Sequence, residues 1–526
     1  MDYRRFVPPR LAVSCLPPPA SSQPLVDTRF PEPHRGRVRR RRAESRFTSH
    51  ESLLMNRTLL ALSLVVVGSV QVQAQQTRWD STARSLFKEL VEINTTESRG
   101  STLEAARAMA VRVKAAGFPD SDVVVLQNAE KKGNLVVRLR GRNTGKKPIL
   151  LLSHIDVVEA NAEDWTLPPF QFIEKDGTFF GRGVADNKDE GAIHLTLIMR
   201  MRAERFVPDR DIIVALTADE EGGGANGVRW LLQNHRPLID AEYAFNEGGG
   251  GRVRGSNITD TVKISHDVQA SEKKFLNFRF EVTNPGGHSS VPRTDNAITQ
   301  LAFALTKINP TIMPVHLNEV TRAYFTRLAV VVQGETPQLA AAMKAIVANP
   351  NDAAAAATLS ADPRYNSQLR TSCVSTMLEG GHATNALPQR ARANVNCRIL
   401  PDETPEQVRA VLERVVGDTG VKITFQGNAT SSPPSPLTPA LMSEIDRVTK
   451  EMWPGVPVIP TMSTGATDGL ALRNAGIPVY GVSGLFYPET FAHGMNERIP
   501  VTAFYQGLEF MYRLVKSISG GPRPIS

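Results

Sequence analysis

Between residues 134 and 245, short apolar runs alternate with stretches of helical spacing. Asn134 to Leu139, Pro148 to Leu152, Asp211 to Leu216 and Ala241 to Phe245 read as strands. About Glu190 to Arg205 and Gly227 to His235 read as helices between them. This alternation constrains the fold more than any other feature of the chain. Strand–helix–strand units build a mostly parallel sheet with helices on both faces, an α/β fold. Such sheets bind ligands beyond the carboxyl ends of their strands. The pattern resumes late, with a helix over Pro439 to Glu451, a strand over Pro478 to Val482 and a helix over Ala503 to Ser517. Upstream, 80–118 reads as helical.

A different pattern interrupts it. Phe275 to Val282 alternates like a half-exposed strand, and a Gly-Gly loop and a helix over Asn296 to Ile308 follow. Residues 336–361 are Ala-rich and read as helical. Strands at Thr371 to Leu378 and Arg392 to Leu400 flank a Gly-Gly-His loop. A helix over Glu406 to Val416 and a strand over Val421 to Phe425 complete the set. This reads as an α+β sandwich, 271–430, inserted into a catalytic domain that spans 75–270 and 431–526. Ser431 to Pro436, made only of Ser and Pro, reads as the return linker.

Polar residues gather just after the strands of the first pattern. His154-Ile155-Asp156 follows one strand, Glu220-Glu221 another and Glu247 a third. His493 lies in a loop after Pro478 to Val482, and Asp186 ends Gly181-Arg182-Gly183-Val184-Ala185-Asp186. At neighbouring strand ends these side chains converge on one cleft. Imidazole with carboxylate suits zinc or a similar divalent ion. Two His and three carboxylates could hold two metals in the manner of hydrolytic two-metal sites. Each piece alone is weak, since a lone His-x-Asp or Glu-Glu is usually an ordinary surface pair. The ordered set carries the reading. His194, among apolar helix residues, reads as core.

The segments Ser153 to Val158, Gly181 to Lys188, Asp219-Glu220-Glu221, Asn246-Glu247-Gly248, Gly286 to Ser290 and His493 to Arg498 resemble a family of di-zinc amidohydrolases. That family includes aminoacylase, acetylornithine deacetylase, succinyl-diaminopimelate desuccinylase, glutamate carboxypeptidase and carboxypeptidase S. The resemblance spans roughly 80–515 and looks strongest to the carboxypeptidase S branch. It implies a zinc exopeptidase-like fold with a lid or dimerisation insert. It also implies two Zn²⁺ per chain, with Co²⁺ or Mn²⁺ as alternatives. His154 and Glu247 would hold one ion, Glu221 and His493 the other, and Asp186 both. Asp156 would hydrogen-bond the far nitrogen of His154, Glu220 would be the general base, and a cis peptide would follow Asp186. His288 would stabilise the oxyanion at a neighbouring subunit's site in a homodimer. Asn385 and Arg398 would hold a substrate carboxylate, and Gly465 to Asp468 would line the same pocket.

The implied activity is metal-dependent hydrolysis of an amide bond in a small peptide or N-acyl amino acid with a free carboxylate. An N-acyl amino acid deacylase or a dipeptidase is the alternative within the family. Another di-zinc aminopeptidase group shares the ligand types but lacks the insert with Gly-Gly-His. A catalytically inactive binding protein is opposed by the intact Glu220 and ligand set.

The front of the chain bears on partners. The whole sequence has net charge +8, which suggests nucleic acid or an anionic membrane. Yet 1–54 holds eleven Arg and five acidic residues, and this Pro-rich stretch reads as a disordered extension or a misassigned start. Met55-Asn56-Arg57, the uncharged, mostly apolar run Thr58 to Val70 and Val72-Gln73-Ala74 read as a signal peptide, 55–74. Seven of the eight net charges therefore precede Gln75. The expected mature chain is nearly neutral, binds no nucleic acid and is periplasmic or secreted. No later run is long enough to span a bilayer. Cys373 and Cys397 remain to pair or not.

Overall fold

The computed structural model describes residues 78–520, except 144, 223, 256–260, 310–311, 428–431 and 489. The stretches read as a basic extension and a signal peptide, and Ser431 of the expected linker, lie outside the described residues.

The sheet starts from strands buried on both faces. Ile149–His154 and Ile212–Thr217 have every residue buried, as central parallel strands require. Their side chains alternate between two cores. Ile149, Leu151, Ile212, Val214 and Leu216 face the core that holds Phe87, Ile193 and Phe504. Leu150, Leu152, Ile213 and Ala215 face the core of Val228, Leu231 and Leu472. The period of two thus sends successive residues into helices on opposite faces.

Across the large sheet the order is Val123–Ala129, Lys132–Leu139, Ile212–Thr217, Ile149–His154, Tyr243–Asn246, Val479–Gly481, Val262–Glu272 and Val458–Ser463. The middle of the sheet, from Ile212–Thr217 through Ile149–His154 and Tyr243–Asn246 to Val479–Gly481, is parallel. Their carboxyl ends therefore share one side, where His154, Glu220-Glu221 and Glu247 emerge.

Two expected helical stretches are broken. The span read as helical over 80–118 is two helices, 78–92 and Thr102–Ala115. Gly100 sits in the turn between them, where a Cβ would lie 2.3 Å from the Thr96 nitrogen. Ser101 caps the second helix by accepting from the Glu104 N–H. The Ala-rich stretch 336–361 is likewise split, into Pro337–Ala348 and Ala353–Ser360, with Asp352 capping the second.

The second sheet is antiparallel, in the order Ser372–Gly380, Arg390–Ile399, Lys274–Thr283, Val421–Gln426. With Ala297–Thr306 and Pro405–Val416 it makes a βαββαβ unit whose core includes Phe278, Phe280, Leu301, Val395 and Leu412. Cys373 and Cys397 face each other in register and are disulfide-bonded. The chain enters this unit directly from Val262–Glu272. On the return, Ser435 donates its N–H to Ala270 O at 2.8 Å and bridges the backbone of Val479 with its hydroxyl.

Between these parts lies a helical group not foreseen in full: Glu319–Val332, the two Ala-rich helices and Pro363–Leu369, with a core of Phe325, Leu328, Met343 and Leu359. It covers the edge strand Val458–Ser463. Arg327 donates to Val458 O at 2.7 Å and Gln368 to Met462 O at 2.9 Å, so side chains occupy carbonyls that an open edge would present.

Candidate metal centre

His154 ends its strand with a 1% exposed side chain. Its Nε2 lies 2.9 Å from Asp186 Oδ1 and 3.3 Å from Glu247 Oε2. The other Asp186 oxygen, Oδ2, lies 3.1 Å from His493 Nε2, which is also 2.8 Å from Glu221 Oε1. Three groups of three donors therefore form: His154–Asp186–Glu247 and Asp186–Glu221–His493, which share Asp186, and His154–Glu220–Glu221. The five residues expected to meet do meet.

The far nitrogen of His154 is held differently from the expectation. Nδ1 lies 3.1 Å from the main-chain oxygen of Asp156, while the Asp156 carboxylate stands 3.7 Å away. That carboxylate instead accepts the backbone N–H groups of Glu220, at 3.1 Å, and Glu221, at 2.9 Å. One residue thus orients the ring with its backbone and pins the Glu-Glu turn with its side chain.

The loop bearing Asp186 is fixed by a residue with no role assigned from its motif. Glu497, fully buried, accepts from Arg182 Nη1 at 2.7 Å, Gly183 N at 3.0 Å and Ala185 N at 2.7 Å. Arg182, also buried, reaches the carbonyl of Gly494 at 3.1 Å and lies over the Trp165 ring. Gly183 has φ +84°, and a Cβ there would be 2.7 Å from Val157 Cγ1. The loop can follow this path only with glycine at that point. The Asp186–Asn187 peptide is cis. Asp219, immediately before the Glu pair, and His493 hold left-handed φ values of 64° and 63°. Such backbone in non-glycine residues gathers at functional sites.

Charge is concentrated here. Burial opposes a charged His154 ring, yet Glu247 and Asp186 beside it hold its pKa well above the usual value. Hydrogen bonds to Asp186 and Glu221 push His493 up to about 10. Burial works against an ionised Asp186, but its bonds to both imidazoles hold it far below the carboxylate range. Burial raises Glu247. These lone pairs converge and share protons that a divalent cation would displace, which is the chemistry of a metal donor set. The residues fit two ions joined through Asp186.

Glu220 stands apart. It lies within ligating range of His154 and Glu221, but among the described residues its carboxylate makes no hydrogen bond or ion pair. Burial pushes it up to about 9, with Glu247, Asp468 and Glu221 adding to the shift and His154 opposing it. A half-buried carboxyl with raised proton affinity beside a candidate metal site has the properties of a proton acceptor.

The remaining expected residues are not joined to this cluster. His288 is exposed and its ring contacts Ser290, with Nδ1 to Oγ at 2.7 Å. Gly287–His288 pairs with Ala386–Leu387, and Ser289 N donates to Asn385 O, so the His288 and Asn385 segments run side by side. Arg398 instead donates to Thr464 O at 3.3 Å and lies over Phe275. No hydrogen bond or ion pair among the described residues links Arg398 to Asn385, or any of the three to the candidate metal ligands. His194 is core, as expected, with its Nδ1 2.8 Å from Ser153 Oγ.

Residues 150–517 match the model of Peptidase family M20/M25/M40. The chain belongs to this family. Relatives of this M20 member include the human N-fatty-acyl-amino acid synthase/hydrolase PM20D1, 29% identical, with 74% of this chain and 77% of the relative aligned. A carboxypeptidase S-like protein of Dictyostelium discoideum is 27% identical over 76% of this chain and 77% of the relative. The M20 metallo-carboxypeptidase Sso-CP2 of Sulfolobus solfataricus shares the fold, with TM-score 0.61 and 17% identity over 82% of this chain and 98% of that one. The M20 chain is accordingly a metallohydrolase acting on amide bonds.

Proposed function

We propose that this enzyme hydrolyses the amide bond of a small peptide or N-acyl amino acid with a free carboxylate, using two zinc ions. The observation that carries the reading is the pair of donor groups sharing Asp186, with Glu220 beside them and unbound. His154, Asp186 and Glu247 would hold one ion, and Asp186, Glu221 and His493 the other. When bound, the ions supply a Lewis acid for the scissile carbonyl and lower the pKa of the attacking water. Glu220 takes the water's proton and returns it to the leaving amine. Asp156 keeps the His154 tautomer fixed and the Glu220 turn in place. His288 donates to the developing oxyanion, and Asn385 and Arg398 receive the carboxylate, for which the planar guanidinium fork is suited.

His288 and Asn385 lie on the βαββαβ unit, and among the described residues no hydrogen bond or ion pair joins them to the cluster, which supports their service to a partner subunit. The edge strand Ser372–Gly380 supports a homodimer: Val374, Met377 and Leu378 are exposed on it, and Ile298 and Phe303 on the neighbouring helix. The Cys373–Cys397 disulfide and the signal peptide both support an oxidising compartment, periplasmic or extracellular. The human relative's name favours an N-acyl amino acid as substrate and the Dictyostelium relative's name a peptide.

Glu220→Ala tests the reading. It should retain about two zinc per chain and lose about 10²- to 10⁴-fold in kcat. Near-full activity with metal bound would exclude Glu220 as the base. A panel of dipeptides and N-acyl amino acids assayed with the wild type decides between the substrates.

A further inference from the structure

Asp468 is a buried carboxylate, 5% exposed, that belongs to none of the donor groups. It stands directly before the helix Gly469–Asn474 but makes no capping hydrogen bond to it. Its contacts run the other way. Oδ1 accepts from Asn226 Nδ2 at 2.6 Å, and Oδ2 lies 3.4 Å from Thr217 Oγ1, whose proton it shares with Ser153 O at the same distance. Thr217 and Asn226 bracket the segment that carries Glu220 and Glu221. Thr217 is also the register partner of His154.

The Asn226 amide continues the chain of contacts. The same Nδ2 lies 3.3 Å from Asp219 O, and the side-chain oxygen accepts Arg229 N at 2.9 Å, capping the helix Gly227–Asn234. Asp219 holds its left-handed conformation with its carboxylate bound to Lys132, at 2.9 Å, and to Ala225 N. Glu220 is the next residue. Asp468 therefore grips both ends of a strained turn whose middle presents the base. Its charge also contributes to the raised proton affinity of Glu220.

The loop is anchored on its other side. Thr467 Oγ1 donates to Glu272 Oε2 at 3.0 Å, and Glu272, fully buried, is ion-paired with Arg473. Thr464 O receives Arg398. The segment 464–468 thus runs from the connection with the second sheet to the turn of the base.

We propose that Asp468 is a positioning residue: through Asn226 and Thr217 it sets the placement of Glu220, touching neither substrate nor metal. The inference rests on the proposed role of Glu220. Displacing a catalytic group by about 1 Å can cost 10²-fold, so Asp468→Ala should lower kcat by about 10- to 10²-fold. KM and zinc content should stay within about twofold, since the loss falls on the chemical step. Asp468→Asn keeps an oxygen acceptor for Asn226 and should recover most of the rate.

The decisive measurement is a double-mutant cycle. In a Glu220→Ala background, Asp468→Ala should add little further loss, because its effect passes through Glu220. Losses that multiply in full, or a parallel fall in zinc content and melting temperature, would overturn the proposal. If Asp468→Ala does not fold, Asn226→Ala reads the same link from a partly exposed position, with the same cycle and the same two outcomes. An active Glu220→Ala enzyme would instead refute the assignment of the base, so the two failures are told apart.

Discussion

Glu497 shows how much can depend on a residue that ligates nothing. It satisfies a buried guanidinium and two backbone N–H groups of the loop that aims Asp186. Removing one partner of a buried ion pair typically costs about 3–5 kcal/mol, because the other charge is left uncompensated. Glu497→Ala should lose stability on that scale in urea denaturation. Zinc affinity should also fall, about 10- to 100-fold, as for other lost supports of metal ligands. A loss under about 1 kcal/mol would mean that Arg182 finds solvent. Lys273 gives a second test at this scale. It is fully buried and donates to Arg370 O at 2.7 Å, and burial pushes its amine down to about 7. The unfolded chain holds this proton up to about pH 10.4, so between pH 7 and 10.4 it binds more protons than the folded one. Stability contributed by this site must then rise with pH across that window, and the penalty is fully present below pH 7. Relative to Lys273→Met, the wild type should gain about 2 kcal/mol between pH 7 and pH 9, read from denaturant melts at each pH. The convergence of the five donor residues and Glu220 was legible in the sequence because imidazole and carboxylate at successive strand ends have few other uses. Glu497, Asn226 and Asp468 were not, because their roles depend on which distant backbone groups they meet. Glu497 and Asp468 both stood inside recognisable segments, so position was visible and partner was not.

At the scale of elements, the buried parallel strands were readable from unbroken apolar runs such as Ile149 to Leu152, and the second sheet from the alternation Phe275 to Val282. The edge strand Val458–Ser463 was not, since Val458-Ile459-Pro460 carries a proline and lacks the expected alternation. The proline is tolerated at the rim of the sheet, where the ladder is incomplete. What completes the rim is the helical group 319–369, whose Ala-rich sequence gave no hint of purpose. Arg327 and Gln368 take the two carbonyls, and Ile459 enters the helical core. Arg327→Ala with Gln368→Ala should cost about 2–6 kcal/mol, at roughly 1–3 kcal/mol for each carbonyl left without a donor. Replacing 312–369 by a short Gly/Ser linker should go further and uncover the strand, giving concentration-dependent association in light scattering. A monodisperse deletion variant would show that the edge protects itself.

For the whole molecule, seven of the eight net charges precede Gln75, so residues 75–526 carry only about +1. The more informative surface is the edge strand Ser372–Gly380. Its exposed Met377 and Leu378, at 71% and 66%, lie on a sheet edge that another strand could extend. Two copies meeting there would form an isologous contact, the commonest symmetry of soluble oligomers. Met377→Lys with Leu378→Lys should then yield monomers in sedimentation, at little cost to folding, since neither side chain is buried. Dimerisation would also decide how the proposed oxyanion donor His288 reaches a catalytic site. If it acts across the interface, Glu220→Ala and His288→Ala enzymes are each nearly inactive but complement one another. In a mixed dimer, one site combines an intact Glu220 with the partner's intact His288, and the other site lacks both. Random exchange of equal amounts makes half the dimers mixed with one good site each, so activity should return to about a quarter of the wild-type value. If His288 serves its own chain, every site in every dimer lacks one residue and mixing restores nothing. The monomeric Met377→Lys/Leu378→Lys enzyme sharpens the contrast, because it should lose about the 10²- to 10³-fold expected of a missing oxyanion donor while keeping its zinc.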